Sequence, residues 1–162
     1  LIRTNYLGPA ALARAALPLL MEGGGGRITV VSSVLGKYGT VSKASYAASK
    51  HALHGFFDSL RYEVEPHGVG VTIACPGVVE TEIAKRAIGP DGKPLGEANA
   101  YTRPGGMSAA RCAHLIARAI ETGREEITIG GVEAHAVKLK RHFPRLFSLA
   151  HRMYTRRKPK WS

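Results

Sequence analysis

The chain has 162 residues, of which 44% are hydrophobic and 22% charged, as expected for one globular domain. Its formal net charge is +11, but nine basic residues and no acidic residue follow Glu133, which leaves only +2 for residues 1–133. The basic character therefore belongs to a tail, and since this tail matches no nucleic-acid recognition module, we expect no nucleic-acid partner. Two cysteines without metal-ligand spacing, Cys75 and Cys112, favour a reducing, cytoplasmic compartment.

The opening segment, from about Thr4 to Met21, is predicted to form a helix that is apolar on most sides and buried by more than one neighbour. A secretory signal is the alternative, but Asn5, Arg14 and Pro18 interrupt the apolar run, which is also too short to span a bilayer. The run Gly23–Gly26 ends the helix. Because these glycines follow a helix and lead into a strand, we expect a connection rather than a phosphate-binding loop.

The segment ITVVSS, Ile28 to Ser33, is a short apolar run that ends in hydroxyls, which predicts a strand buried on both faces of a parallel sheet. Ligands bind at the carboxyl ends of strands in open α/β sheets, so Ser33 is well placed for chemistry. The alternative is a hydroxyl satisfied by nearby backbone. A serine hydrolase would need a glycine two positions before its nucleophile, and Val31 stands there, so we do not expect that activity.

A long helix is predicted from about Lys43 to Glu65, because apolar residues recur on one stripe at helical spacing. Tyr46 and Lys50 begin this stripe, which continues through Leu53, Phe57, Leu60 and Val64. A second apolar flank consists of Ala48, Ala52 and Phe56. Two apolar flanks predict packing on the sheet and on another helix, and we expect a homodimer formed through the helices at 4–21 and 43–65.

The remaining elements alternate between strands and helices. They are a strand from His67 to Gly77, a short helix from Thr81, a helix capped by Ser108 that ends near Thr122, and a strand from Glu126 to Gly131. The stretch from Gly89 to Gly106 predicts a long loop that covers a site. The pattern indicates an α/β fold with a parallel sheet of about three strands. A sheet of this size is poorly self-sufficient, and the chain begins with Leu1, so we expect a fragment.

Tyr46 and Lys50 form a Tyr-x-x-x-Lys pair on one face of the long helix. Tyrosine, with an unperturbed pKa of about 10, is a poor base at neutral pH, but a neighbouring ammonium favours the phenolate. With Ser33, the pair predicts proton transfer to or from a hydroxyl or carbonyl, with the electron chemistry left to a cofactor. A lysine that merely reaches the surface is the alternative. His51 and His54 lack carboxylates or cysteines nearby in the sequence, so we expect no metal site.

Several motifs together resemble one family. ITVVSS, YAASK and the CPG turn with Val79 and Thr81 resemble the catalytic half of the classical short-chain dehydrogenases/reductases, and TNYLGP resembles the segment that carries the family's active-site asparagine. The resemblance covers about Asn5 to Gly131. YAASKHALHGFFDSLRYEVE and the basic tail are most similar to the dehydrogenase/reductase 7B-like branch. The resemblance implies a Rossmann-like fold and an NAD(P)-dependent oxidoreductase that interconverts a carbonyl and a secondary alcohol.

The resemblance also implies a role for each matching residue. Tyr46 would transfer the proton, and Lys50 would assist it and bind the nicotinamide ribose. Ser33 would hold the substrate oxygen, and Asn5 would position a water molecule. The cofactor would contact Tyr46, Lys50 and a segment made of Pro76, Gly77, Val79 and Thr81.

The family's glycine-rich fingerprint, which receives the pyrophosphate, does not occur in this sequence. We therefore expect only the C-terminal portion of the fold, without its dinucleotide-binding half. Residues 1–134 would form the catalytic part and residues 135–162 a basic amphipathic tail. The cofactor would be NAD or NADP, with NADP slightly favoured by the resemblance, and the substrate a small carbonyl or alcohol. We expect negligible activity from the isolated chain and activity from the full-length protein.

A non-enzymatic alternative treats the chain as an inactive truncated remnant that binds partners through its tail. Five tail residues are predicted to form one apolar face among basic residues: Leu146, Phe147, Ala150, Met153 and Tyr154. Such helices lie on anionic membranes, which implies peripheral membrane contact of an otherwise cytoplasmic protein. The other interpretation is a solvated tail that covers the substrate pocket.

Overall fold

A computed structural model of the chain describes residues 1–83, 86 and 106–156. Helices and strands alternate along it. The helices are α1 (Gly8–Glu22), α2 (Ala44–Val64), α3 (Ala109–Glu121), α4 (Val132–His142) and α5 (Pro144–Thr155). The strands are β1 (Gly26–Val31), β2 (Val69–Pro76), β3 (Val79–Glu80), β4 (Met107–Ser108) and β5 (Glu126–Ile129). The structure describes only residues 81–83 and 86 of the predicted short helix from Thr81, and these residues are not in a helix. Of the predicted loop from Gly89 to Gly106, only Gly106 lies within the described residues.

Three of the strands form the parallel sheet that the sequence predicts, in the order β1-β2-β5. Ile28 pairs with Val71, and Cys75 pairs with Thr128. Because the strands are parallel, their carboxyl ends lie at one edge of the sheet. The pairing of β3 with β4 was not predicted, since two-residue strands carry no readable periodicity.

The chain begins with a π-helical turn, Arg3–Leu7, rather than with the continuous α-helix expected from Thr4. Pro9 explains the wider turn, because a proline ring clashes with the carbonyl four residues before it and has no N–H to donate. The Gly8 N–H instead bonds to the carbonyl of Arg3. The turn places Asn5 against α2.

The main core lies between α2 and the sheet. Leu53, Phe57 and Val64 are almost fully buried on α2, and they pack with Val71 and Ile73 of β2. The inward stripe is thereby confirmed, with its first two members, Tyr46 and Lys50, half-buried beside the sheet edge. On the second flank of α2, Phe56 meets Tyr6 edge-on, with ring centroids 6.1 Å apart, so the chain itself covers part of this flank.

The described part of the tail contains two helices, since α4 ends at His142 and Pro144 begins α5. Phe147 is buried against Tyr38, with ring centroids 5.4 Å apart. Leu146 and Met153, predicted on the same face, are exposed. Contact with Tyr38 therefore divides the apolar residues of α5 between the domain and the solvent.

Candidate active site

Two serines follow the carboxyl end of β1. The Ser33 hydroxyl oxygen accepts a 3.2 Å hydrogen bond from the backbone N–H of Leu35 and caps the short turn Val34–Gly36. This contact leaves the hydroxyl hydrogen for another acceptor. The neighbouring Ser32 hydroxyl donates to the carbonyl of Lys50 at 3.3 Å and so joins the loop to α2. Sequence reasoning missed Ser32, which belongs to the same pair of hydroxyl residues.

Lys50 is held at the end of β1. Its ammonium donates a 3.0 Å hydrogen bond to the carbonyl of Val31 and lies 5.8 Å from the centroid of the Tyr46 ring. Burial lowers the pKa of Lys50 from its ordinary value, and Cys75 acts in the opposite direction. The ammonium is therefore fixed between the strand end and the tyrosine, and the alternative of a lysine that extends into solvent does not describe it.

Asn5 reaches the same helix from the opening turn. Its side-chain amide donates to the Ser49 hydroxyl at 3.1 Å, and this hydroxyl donates to the carbonyl of Tyr46 at 2.7 Å. Ser49 lies between Tyr46 and Lys50 in the sequence, and its side chain is fully buried. Sequence reasoning missed Ser49, because a serine in a helix by default bonds its own preceding turn, as this one also does.

The segment after β2 lies at the same edge of the sheet. Pro76 ends β2, and the N–H of Gly77 donates to the carbonyl of Ile129 at 2.6 Å. A Cβ on Gly77 would lie 3.4 Å from this oxygen and from the side chain of Glu133. Val79 pairs in β3, and Thr81 is exposed beyond it. The fold thus brings this segment to the edge where Ser33 and Lys50 lie.

The glycine run of the first connection does not form a phosphate cradle. Gly25 packs so closely on Gly68 that a Cβ would lie 2.6 Å from the Gly68 carbonyl oxygen, and its φ is +115°. The backbone at Gly68 occupies the space beside this glycine, so a phosphate has no room there. The predicted connection between helix and strand is confirmed.

The fold places groups beside His54 that are distant from it in the sequence. His51 bonds the carbonyl of Ala47, but the fold brings both Cys75 and Glu126 to His54. Cys75 and the other cysteine, Cys112, are buried free thiols. This cluster could not be read from the sequence, because its members come from three different elements.

Residues 1–90 match the model of a family described as short chain dehydrogenase. The chain is 37% identical over 145 residues to dehydrogenase/reductase SDR family member 7B of Xenopus laevis, covering 89% of this chain and 45% of that protein. It is 36% identical over 138 residues to SDR family protein 7-like of Drosophila melanogaster, with coverages of 85% and 42%. The chain therefore spans less than half the length of these relatives.

Solved structures show the same fold. A short chain dehydrogenase from Burkholderia cenocepacia in complex with NADP superimposes with a TM-score of 0.78 at 24% identity, covering 92% of this chain and 56% of the other. A short chain dehydrogenase/reductase from Burkholderia phymatum in complex with NAD gives 0.74 at 24% identity, with coverages of 90% and 57%. The parallel sheet with flanking helices is thus a Rossmann-like arrangement.

Proposed function

The chain belongs to the short-chain dehydrogenase family. We propose that Asn5, Ser33, Tyr46 and Lys50 form the proton-transfer site of an NAD(P)-dependent oxidoreductase. Its reaction interconverts a carbonyl and a secondary alcohol. The observation that carries the proposal is the Lys50 ammonium, fixed between the Val31 carbonyl and the Tyr46 ring at the carboxyl edge of the sheet. A positive charge beside a phenol favours transfer of the phenolic proton to a developing alkoxide.

The chain's own residues have separable tasks in this reaction. Tyr46 donates the proton during carbonyl reduction and accepts it during alcohol oxidation. Lys50 supports this transfer electrostatically, and the Ser33 hydroxyl donates a hydrogen bond to the substrate oxygen. Asn5 has a positioning role. Its hydrogen bond to Ser49 holds the helical turn between Tyr46 and Lys50, and there it would position a water molecule that connects Lys50 to solvent.

The residues at the sheet edge fit the nicotinamide end of NAD or NADP. Gly77 presents backbone without a side chain at this edge, and Lys50 has further N–H donors for ribose hydroxyls. Pro76, Val79 and Thr81 would line this end. The bound nicotinamide supplies or accepts the hydride. The dinucleotides bound in the two Burkholderia structures, NADP and NAD, support either cofactor, and we place NADP slightly ahead because of the family resemblance.

We also propose that the 162-residue chain alone has negligible turnover and that the full-length protein is active, because Gly23–Gly26 cannot hold a pyrophosphate. Tyr46→Phe in the full-length protein, assayed for carbonyl reduction with NADPH and with NADH, tests the mechanism. We expect a loss of about 10²-fold or more in kcat. Tyr62→Phe, which changes an exposed tyrosine on the same helix, should keep the rate. Near-normal reduction by Tyr46→Phe would exclude it as the acid, and turnover by the isolated chain would contradict its proposed inactivity.

The apolar surface of α1 and α2 supports the proposed homodimer. Leu12 and Leu19 are strongly exposed on α1, and Ala48 is exposed on α2. Sedimentation equilibrium of the full-length protein should give a dimer, and Leu12→Lys should weaken it. A monomer at micromolar concentration would contradict this interface.

A second candidate function is contact with an anionic membrane surface. Leu146, Leu149 and Met153 are exposed along one side of α5, about 100–160° around the helix axis from the buried Phe147. Arginines border this stripe, as in helices that lie in a bilayer interface. Within the part of the chain that the structure covers, no helix has the length and apolar content to cross a membrane. Membrane binding without catalytic turnover would be expected of an inactive remnant. Membrane binding together with turnover would indicate a peripheral membrane enzyme.

Vesicle co-sedimentation of the chain separates these possibilities. We expect binding to phosphatidylserine-containing vesicles, weaker binding to pure phosphatidylcholine, and loss of binding in a Leu149→Ser, Met153→Ser variant. Replacement of Leu12, an exposed leucine on α1, by Ser is the matched control and should leave binding unchanged. Equal binding to the two vesicle types would contradict the proposed contact with an anionic membrane.

A further inference from the structure

We propose that His54, Cys75 and Glu126 form a binding site for a divalent zinc ion, separate from the proposed proton-transfer residues. The three side chains come from α2, β2 and β5, and one ligand atom from each lies within 4.8 Å of the others. Thiolate, imidazole and carboxylate are the ligands that zinc takes in proteins.

The strand register explains why these groups meet. Ile73 pairs with Glu126, so their side chains point to the same face of the sheet. Cys75 lies two residues beyond Ile73 and points to that face as well. This is the face that α2 covers, since Ile73 and Cys75 share a core with Phe57.

His54 lies between the other two ligands. Its Nε2 atom is 3.6 Å from the Cys75 sulfur, and its Nδ1 atom is 3.7 Å from Oε2 of Glu126. Zinc–sulfur and zinc–nitrogen bonds of about 2.3 and 2.0 Å at a tetrahedral angle place the two ligand atoms about 3.5 Å apart. The thiol and Nε2 therefore already have the required separation. The partly exposed Glu126, which faces Nδ1 and pairs with Lys37, has to move toward Nε2.

A second observation points to a missing ligand. His54 is 7% exposed, and within the described parts of the chain its Nδ1 atom has no hydrogen-bond partner. A buried polar atom without a partner is costly. An ion bound through Nδ1, the nitrogen that faces Glu126, would satisfy it directly and is the alternative to ligation through Nε2. Gly36 allows the ring to lie here, because a Cβ at Gly36 would come within 2.8 Å of Nε2.

The charges of the cluster agree with a metal site. Burial, with a smaller effect of Lys37, lowers the pKa of His54 to about 4, so the imidazole is neutral and can ligate at neutral pH. Burial raises the pKa of the Cys75 thiol to about 12, so zinc binding must release its proton to solvent as the sulfur–zinc bond forms. Lys37, which pairs with Glu126 in the metal-free arrangement, must leave that carboxylate.

The site would join the helix that carries Tyr46 and Lys50 to two strands. Zinc should therefore raise the thermal midpoint of the chain by mass action, because it binds the folded state. Cobalt(II) is the probe for the ligands, since it occupies zinc sites and a cobalt–thiolate bond gives a charge-transfer absorption band. We expect this band to saturate at one equivalent in the reduced 162-residue chain and to disappear when zinc is added.

Matched variants assign the ligands. Cys75→Ser and His54→Gln should lose the band, whereas Cys112→Ser and His51→Gln should keep it. If far-UV circular dichroism shows that Cys75→Ser does not fold, Glu126→Gln at the partly exposed position decides, and it should weaken cobalt binding. The proposal is overturned by a folded wild-type chain without the band, by a band that persists in Cys75→Ser, or by unchanged affinity in Glu126→Gln.

Discussion

The side-chain amide of Asn5 donates a hydrogen bond to the hydroxyl of Ser49, which joins residues 44 positions apart in sequence. The Ser49 hydroxyl in turn donates to the carbonyl of Tyr46. The opening π-helical turn is thereby bonded to the helical turn that separates Tyr46 from Lys50. A single buried hydroxyl therefore links two of the residues proposed to act in proton transfer, Asn5 and Tyr46.

Removal of this hydroxyl should destabilise the chain. Ser49→Ala leaves the Asn5 amide without its acceptor at a buried position, and we expect the free energy of unfolding to fall by about 1–3 kcal/mol. Ser59→Ala is the control, because Ser59 also bonds its preceding turn but is exposed. It should change stability by less than about 0.5 kcal/mol. Urea unfolding followed by circular dichroism measures both, and equal midpoints for the two variants would show that the Asn5 contact contributes nothing.

The loop after β1 should tolerate alanine at one glycine and not at another. A Cβ at Gly36 would lie 2.6 Å from the Ser32 hydroxyl and 2.8 Å from the His54 ring, whereas a Cβ at Gly39 meets nothing within 4 Å. We expect Gly36→Ala to cost about 1–3 kcal/mol because the packed neighbours must move. Gly39→Ala should be neutral or stabilising by up to about 1 kcal/mol, through the unfolded state. Thermal unfolding of both variants tests this difference, and a Gly36→Ala protein as stable as the wild type would show that the loop adjusts freely.

Truncation of the core stripe should be costly at a buried leucine and harmless at an exposed one. Leu53 is 1% exposed and Leu12 is 72% exposed. Leu53→Ala should reduce the free energy of unfolding by about 2–5 kcal/mol, through lost burial and the cavity left behind. Leu12→Ala should stay within about 0.5 kcal/mol in the monomeric chain. Denaturant titration distinguishes them, and a cost at Leu12 that matches Leu53 would reveal a covered α1 surface.

Acid should weaken the fold through His54. Burial is the main cause of its low folded pKa of about 4, Lys37 and His51 act in the same direction, and Glu126 and Asp58 oppose it. Between this value and the ordinary 6.5, the unfolded chain binds the proton and the folded chain does not. The free energy of unfolding therefore decreases as the pH falls through this window.

We expect a contribution of about 1–2 kcal/mol between about pH 7 and pH 5, measured by urea unfolding with a chelator present. His54→Gln should flatten this part of the profile, whereas His51→Gln, at an exposed position, should leave it unchanged. A slope that survives in His54→Gln would assign the acid sensitivity to other groups.

The amino-acid sequence by itself determined the order of α1, β1, α2, β2, α3 and β5, the parallel sheet, the buried stripe of α2 and the family. These features are local: apolar residues repeat with period 3.6 along α2, and β2 is a short continuous apolar run. The pair Tyr46 and Lys50 is readable for the same reason, because one helix sets its spacing.

The tertiary structure alone decided which groups from different elements meet. Ser49 met Asn5 because Pro9 widened the opening turn, and His54 met Cys75 and Glu126 because the parallel register points both side chains toward α2. The tertiary structure also buries Phe147 and leaves Leu149 exposed to solvent, because only one side of α5 contacts Tyr38. Such contacts depend on packing between segments distant in sequence, which no local pattern of residues encodes.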